Sequence, residues 1–385
     1  MSSIHHSIEH CIILKNISDM KPFLLIFSIL TVSFGILALT ASTQVPNDSI
    51  SHDSHEKELF ESDEILDITL SGDIRKLLND RSSKTPENYS LRLAYKSEDS
   101  SVISIPAEAR TRGHFRRLKE NCVYPPILLR FTKSDSLKAT IFKDNHKLKL
   151  AMPCQGEQYI VHEWLAYKLY NLITPKSFRA RLVRVKLDEG KNKKPAAAFY
   201  GMLLEEEQQM AKRNGTIPIN KRLRPEQTET QSFLIMAVFE YLIGNTDWSV
   251  QYLQNIKLIS ADSNAKPVTV PYDFDMSGIV NTPYAKPAEE LLLNSVRTRR
   301  YRGYCIQDMK KFDQVISLFN QLKENFYSTI TNCGLLDDKY KKSTIKFFDE
   351  FYATINNPVA LKKEFGYPCD KNGTGNVVIK GLRED

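Results

Sequence analysis

Residues 232–243, SFLIMAVFEYLI, constrain this chain more than any other stretch. The run is strongly apolar and carries one charge, Glu240. A helix that is apolar all round has no face to give to water and must be buried. Gly244 breaks it, and the segment GNTDWSVQYLQNIKLI (244–259) follows at once. It places Asp247 in the loop after the helix and Asn255 at the mouth of an apolar strand, IKLI. A short turn, SADSNAK, leads to a second strand, PVTV, which ends at Asp273 with Asp275 two residues on. The order is buried helix, loop Asp, Asn, two-stranded ribbon, Asp. Each residue also has a plain structural role open to it. Asp247 can cap a turn, Asn255 can open a strand, and Asp273 can satisfy a buried backbone group.

The rest of the chain supplies layers around that helix. YSLRLAYK, SVISIPAEAR, PPILLRF and HKLKLAM alternate as strands, so residues 64–155 are expected to be mainly β. EQYIVHEWLAYKLYNLI (157–173) has Ile160, Trp164, Leu165, Leu169 and Leu172 near helical spacing, and Pro175 ends it. RARLVRVKL and AAAFYGMLLEE alternate again, and residues 208–229 are expected to form a flexible loop. QDMKKFDQVISLFNQLKENFYSTITN and DDKYKKSTIKFFDEFYATIN are two amphipathic helices. The expected division is a β-rich N-lobe over 64–205 with one helix, and a helical C-lobe over 206–385 that carries the acidic motifs. The corresponding fold class is α+β, two-lobed, suited to a nucleotide clamped between lobes.

Lys21 and the apolar run that follows it, closing at Ala41-Ser42, form an export signal. Residues 1–42 are expected to be a signal peptide or membrane anchor, with Met20 as the natural start of translation and 21–41 as the apolar segment. Residues 43–63 are polar and acid-rich, and read as a disordered linker. The expected location is the periplasm or cell envelope, with membrane contact only through that segment. Beyond the leader stand Cys122, Cys154, Cys305, Cys333 and Cys369, without a CxxC pair or a His at metal-ligand spacing. An exported chain can form two disulfides from them and keep one thiol. The net charge of +7 is spread along the chain, compatible with anionic ligands such as phosphates but not directed at nucleic acid.

GNTDWS…NIKLI…VPYDFDMSG resembles the CotH-like atypical kinases, and the YD after an apolar strand is similar to the HipA-type kinases. RTRGHFRR (110–117) is similar to the Arg-Gly segment of the CotH N-lobe. KLKLAMPC, the helix of 157–173 and FYGMLLEEEQQMAKR follow that family's order of Lys strand, helix, strand and acidic hinge. The resemblance runs from about Ala107 to Tyr304 and implies a two-lobed protein-kinase-like fold. It implies Asp247 as the catalytic Asp, Asn255 and Asp273 as metal ligands, and Asp275 as a second carboxylate near the metal. Lys149, chosen over Lys147 on the same strand face, would meet the nucleotide phosphates. Glu163 would orient it, with Glu157 the alternative. Arg112 and Gly113 would meet phosphate oxygens. The implied cofactors are ATP or another nucleotide with Mg²⁺ or Mn²⁺. The implied partner is a protein or small-molecule phosphate acceptor in the cell envelope.

There are departures from that family's pattern. No GxGxxG loop and no HRD is present, and the interval from Asp247 to Asn255 is longer than in ordinary kinases. Export also removes the protein from the cytoplasmic ATP pool. The alternatives are therefore an envelope binding protein or pseudokinase, and a DxD phosphatase with Asp273 as nucleophile and Asp275 as acid/base. VRTRRYRGYC (296–305) has two readings, a dock for an anionic acceptor and a solvated basic loop.

Overall fold

Seven strands account for the first half of the chain. They are β1 (Leu66–Gly72), β2 (Tyr89–Lys96), β3 (Val102–Thr111), β4 (Ile127–Arg130), β5 (Lys147–Ala151), β6 (Ala180–Asp188) and β7 (Phe199–Leu204). The structure is a computed structural model describing residues 57–82, 84–190 and 197–371. The expected leader or anchor of 1–42, and the linker as far as residue 56, lie outside the described residues. Among the described residues no helix is long and apolar enough to cross a membrane.

The strands close into a barrel in the order β1-β2-β3-β4-β5-β7-β6. Neighbours are antiparallel except at the closure, where β1 runs parallel to β6 with Leu66 opposite Val183 and Ser71 opposite Asp188. The period-two alternation sends Leu148 and Leu150 of β5, Val183 and Val185 of β6 and Leu203 of β7 inward. Gly201 of β7 is required there. A Cβ on it would lie 2.8 Å from Val185 and 3.1 Å from Leu150, so the barrel interior is filled against its backbone.

The opposite face of β5, β6 and β7 belongs to a second core. Ala151, Leu182, Met202 and Leu204 share one apolar cluster with the helices. These are α1 (Ile74–Asn79), α2 (Asp135–Lys138), α3 (Gln158–Ile173), α4 (Glu207–Arg213), α5 (Thr230–Ile243), α6 (Asp313–Gln321), α7 (Lys323–Thr331), α8 (Asp338–Ile355) and α9 (Pro358–Phe365). Of these, α3 to α9 contribute to that second cluster, while Ile74 and Leu77 of α1 and Leu137 of α2 pack with the barrel interior. A small sheet, β8 (Ile217–Pro218), β9 (Ile256–Ser260) and β10 (Val268–Pro271) in the order β10-β9-β8, completes the list of elements. As its sequence demands, α5 is buried from Phe233 to Ile243 except for Ile235, which is half-buried. Burying one such side chain contributes about 1.5–3 kcal/mol.

The two-lobed protein-kinase-like fold expected from the sequence is corrected here. The β-rich part is a closed, mixed seven-stranded barrel, and the helices share a core with its outer wall. The reason is the β1–β6 pair. Alternation shows that a segment is a strand, but it does not show that β1 will meet a strand more than a hundred residues later. The segment expected to be a flexible loop, 208–229, contains most of α4 and all of β8. Two disulfides, Cys122–Cys154 and Cys305–Cys369, form as the cysteine count allowed, and Cys333 is the buried thiol outside them.

Candidate active site

The ribbon register brings the motif residues together. Pro271 of β10 lies opposite Ile256 of β9, and Tyr272 N–H donates to the Asn255 carbonyl at 3.0 Å. Asp273 therefore leaves the ribbon next to Asn255. At the other end, α5 terminates on Gly244 in a left-handed conformation, φ 70°. A Cβ there would sit 3.0 Å from the Val296 carbonyl, so the helix can end here only on glycine. Gly278 and Ile279 donate backbone N–H groups to the carbonyls of Gly244 and Ile243 at 3.0 and 2.9 Å. These bonds fold the DFDMSG segment back onto the helix end, beside Asp247.

Asn255 links the two halves of the motif. Its Nδ2 donates to the Asp247 carbonyl at 2.8 Å and to Asp247 Oδ2 at 3.0 Å, leaving its amide oxygen to meet a cation. Asn255 and Asp273 both have left-handed backbones, φ 51° and 62°. Asn and Asp tolerate that region better than other side chains, and such strain collects at functional sites. The Asp273 N–H is held by the Tyr167 hydroxyl of α3 at 2.8 Å.

Around these residues stand two cations and a fourth carboxyl. Lys149 lies on the outer face of β5, buried, with its Nζ 3.0 Å from Asp273 Oδ2. Arg116 lies in the turn after β3, buried. Its Nη1 is 3.2 Å from Asp275 Oδ2, 3.4 Å from Glu163 Oε2 and 4.0 Å from Asp273 Oδ1. Tyr284 donates its hydroxyl to Asp275 Oδ2 at 3.0 Å. The structure thus gathers Lys149, Glu163, Asp247, Asn255, Asp273 and Asp275 at the seam between barrel and helices. Arg112 is half-buried nearby, and its charge is felt by Asp273.

Other expected pairings are different. Glu163 meets Arg116 where Lys149 was expected. Lys147 is exposed and lies 3.7 Å from Glu206, one pleat away from the cluster. Glu157 accepts from the Tyr200 N–H instead of approaching the cluster. Arg116, Tyr167 and Tyr284 were not singled out from sequence. Only Arg116 had a signal, its place in RTRGHFRR.

Electrostatics separates the carboxyls. Burial, together with the charges of Asp275 and Asp273, pushes Asp247 up to about 6. Burial also pushes Glu163 up to about 7, against the opposing charge of Arg116. Burial acts on Asp273 in the same direction, but Lys149 and Arg116 outweigh it and hold that carboxyl below its usual range. Asp275 is raised by burial and by Asp273. Glu240, the one charged residue of α5, is fully buried, with Asn245 as its polar neighbour. Burial pushes its carboxyl well above the usual range.

Asn255, Asp273 and Asp275 offer only oxygen donors, which suits Mg²⁺ or Mn²⁺. In this arrangement Lys149 and Arg116 lie among those oxygens. Among the described residues no group of three or more His, Cys, Asp or Glu is placed to hold a metal ion.

The basic segment 296–305 is turned inward. Arg297 donates to the Gly278 and Ser343 carbonyls, and Arg299 to those of Tyr241, Leu242 and Phe347. Arg300 donates to the Tyr367 hydroxyl, and Arg302 to the carbonyls of Thr246 and Trp248. No family model matches the chain, and no curated protein matches its sequence.

Proposed function

We propose that this site binds a nucleotide with a divalent cation and transfers its terminal phosphoryl group to a hydroxyl acceptor in the cell envelope. The observation that carries the reading is the gathering of Asp247, Asn255, Asp273 and Lys149 at one place, with Asn255 Nδ2 3.0 Å from Asp247 Oδ2 and Lys149 Nζ 3.0 Å from Asp273 Oδ2, which gives the two carboxyls different surroundings. Asp247 is raised to about 6, and Asp273 is held down by Lys149 and Arg116. Groups driven apart in this way divide into a base poised near neutrality and a carboxylate that stays ionised. The order of the motif residues, similar to that of the CotH-like kinases, supports the same division of roles.

In this mechanism Asp247 accepts the proton of the acceptor hydroxyl. The acceptor oxygen forms a bond to the terminal phosphorus as the bond to the leaving nucleoside diphosphate breaks. Lys149, and Arg112 at the edge of the cluster, meet phosphate oxygens. Asn255 holds the Asp247 carboxylate in orientation through its Nδ2. Asn255 and Asp273, with Asp275 beside them, are the residues that would hold Mg²⁺ or Mn²⁺, which supplies positive charge to the phosphates when bound. The two disulfides support an oxidising compartment and hence the envelope location. The donor is ATP or another nucleotide available there.

The test is calorimetric titration of the protein with nucleotides, with and without Mg²⁺ or Mn²⁺, alongside a phosphoryl-transfer assay. Asp247→Asn is expected to lower transfer by about a thousandfold and leave nucleotide binding intact. Asp273→Asn is expected to lose the metal-dependent part of binding. Two variants that bind and transfer like the parent would remove the assignment. Hydrolysis of a simple phosphomonoester, lost in Asp273→Asn, would favour the phosphatase reading. Metal–nucleotide binding with no transfer to any acceptor would favour a binding protein.

A further inference from the structure

Glu240 is out of place in α5. Its neighbours from Phe233 to Ile243 are aliphatic or aromatic, yet one turn before the helix ends stands a carboxyl that is 0% exposed. An apolar side chain would fill that space without the cost of taking an ionisable group out of water. The polar side chain beside it is Asn245, itself only 1% exposed, and the charge of Asp247 reaches it as well.

The end of α5 explains how these three residues meet. Gly244, in its left-handed conformation, turns the chain back, and the Asn245 N–H donates to the Glu240 carbonyl at 2.8 Å. Asn245 Oδ1 accepts the Asp247 N–H at 3.0 Å. An amide has a donor side and an acceptor side, so committing Oδ1 to Asp247 leaves Nδ2 for an acceptor elsewhere. Glu240 is that neighbour. The Asn245 carbonyl also accepts from Trp248 Nε1 at 3.2 Å, so one residue holds the chain on both sides of Asp247. From the other direction Asn255 Nδ2 donates to the Asp247 carbonyl and to Oδ2. Among the described residues none donates to Oδ1, which leaves that oxygen to meet a hydroxyl.

A packing role would be met better by a side chain without charge. What the Glu240 carboxyl supplies is direction. An acceptor on one side of the Asn245 amide keeps its oxygen turned to the Asp247 N–H, and so fixes the loop from which Asp247 projects.

We infer that Asn245, oriented by the Glu240 carboxyl, is the positioning residue that sets the Asp247 carboxylate for proton transfer. The inference rests on the reading of Asp247 as the base of the proposed reaction. Neither Asn245 nor Glu240 meets the substrate.

The test combines transfer kinetics with amide hydrogen exchange at Asp247, followed by NMR. Asn245→Ala is expected to lower kcat about a hundredfold while the nucleotide KM changes by less than about twofold. It should also speed exchange of the Asp247 N–H about tenfold. Glu240→Leu is expected to leave unfolding stability equal or higher, and yet to lower kcat about tenfold and speed that exchange. Asn245→Asp alone sets two carboxyls side by side and should lower kcat by about as much. Adding Glu240→Gln to it exchanges acid and amide, keeps an acceptor for the Asp247 N–H, and should bring kcat back to within about threefold of the parent. A Glu240→Leu protein that loses stability together with activity makes Glu240 a packing residue and overturns the inference. A folded Asn245→Ala protein with parental kcat overturns it too. Should Asn245→Ala fail to fold, Glu240→Leu and the exchanged pair decide by the same measurements. If the parent transfers no phosphate, the kinase reading fails, and hydrogen exchange decides the positioning separately. Faster exchange in Glu240→Leu then keeps the link from Glu240 to the loop, and parental exchange removes it.

Discussion

Two arginine-rich segments, RTRGHFRR (110–117) and VRTRRYRGYC (296–305), look alike in sequence and are used in opposite ways. In the second, Arg297, Arg299 and Arg302 all face backbone carbonyls, several of them at the end of α5 and in the loop that carries Asp247. A helix C-terminus presents unsatisfied carbonyls and the negative end of its dipole, and guanidinium groups satisfy both. In the first, Arg116 faces carboxylates. The difference shows that a basic run is defined by the acceptors the fold sets before it. One segment builds the loop, and the other controls the charge of the site beside it.

Each segment lies next to a disulfide, and these allow the largest test of the contrast. Cys122–Cys154 spans 32 positions and Cys305–Cys369 spans 64. Chain entropy gives each bridge about 4 kcal/mol. Replacing either pair with serine is therefore expected to lower unfolding stability by up to about 4 kcal/mol in denaturant titration. Mn²⁺-dependent nucleotide binding should respond only to the loss of Cys122–Cys154, which anchors the end of the turn that carries Arg116. Equal Mn²⁺ responses in the two double variants would break the contrast.

A smaller effect is expected from Arg299→Ala. Arg299 donates to three carbonyls and stacks 3.4 Å from the centre of the Phe347 ring. Its removal leaves carbonyls at the end of α5 without that partner, at an expected cost of about 3 kcal/mol. Mn²⁺ binding of the folded variant should equal that of the parent. A change in Mn²⁺ affinity would show that the second segment reaches the site chemistry after all.

What could be read from the sequence follows the range of each interaction. The β9–β10 ribbon joins segments a few residues apart, so the placing of Asp273 beside Asn255 could be anticipated from turn and strand signals. The burial of α5 followed from its composition. The β1–β6 closure could not be anticipated, because alternation carries no information about a partner so distant. The run 307–332 has continuous amphipathic spacing, yet α6 and α7 are separated at Leu322, a one-residue break that periodicity does not register. Lys149 was legible by its place in a strand. Its partner was not, because whether Asp273 or Glu163 meets the ammonium is decided by Arg116, which arrives from a different loop.

The smallest effect tests the single point where the second segment touches the chemistry. Arg302 holds the carbonyls of Thr246 and Trp248 on either side of Asp247, and its charge lowers the Asp247 carboxyl while burial, Asp275 and Asp273 raise it to about 6. A base must be ionised to accept a proton, so transfer is expected to rise with pH through about 6 and then level off. The stability linkage has the opposite slope. A carboxyl raised on folding contributes fully below its unfolded value, and that contribution is lost as pH climbs through about 6. Arg302→Met removes the opposing charge. It is expected to move the Asp247 titration upward by about half a unit, equivalent to roughly 0.7 kcal/mol. The shift can be followed by carboxyl ¹³C resonances even without a transfer assay. Arg297→Met, from the same segment but bonded to Gly278 and Ser343, should leave that titration where it is. If both variants move it equally, the segment acts as a diffuse field and not through Arg302, and the line between scaffold and site arginines must be redrawn.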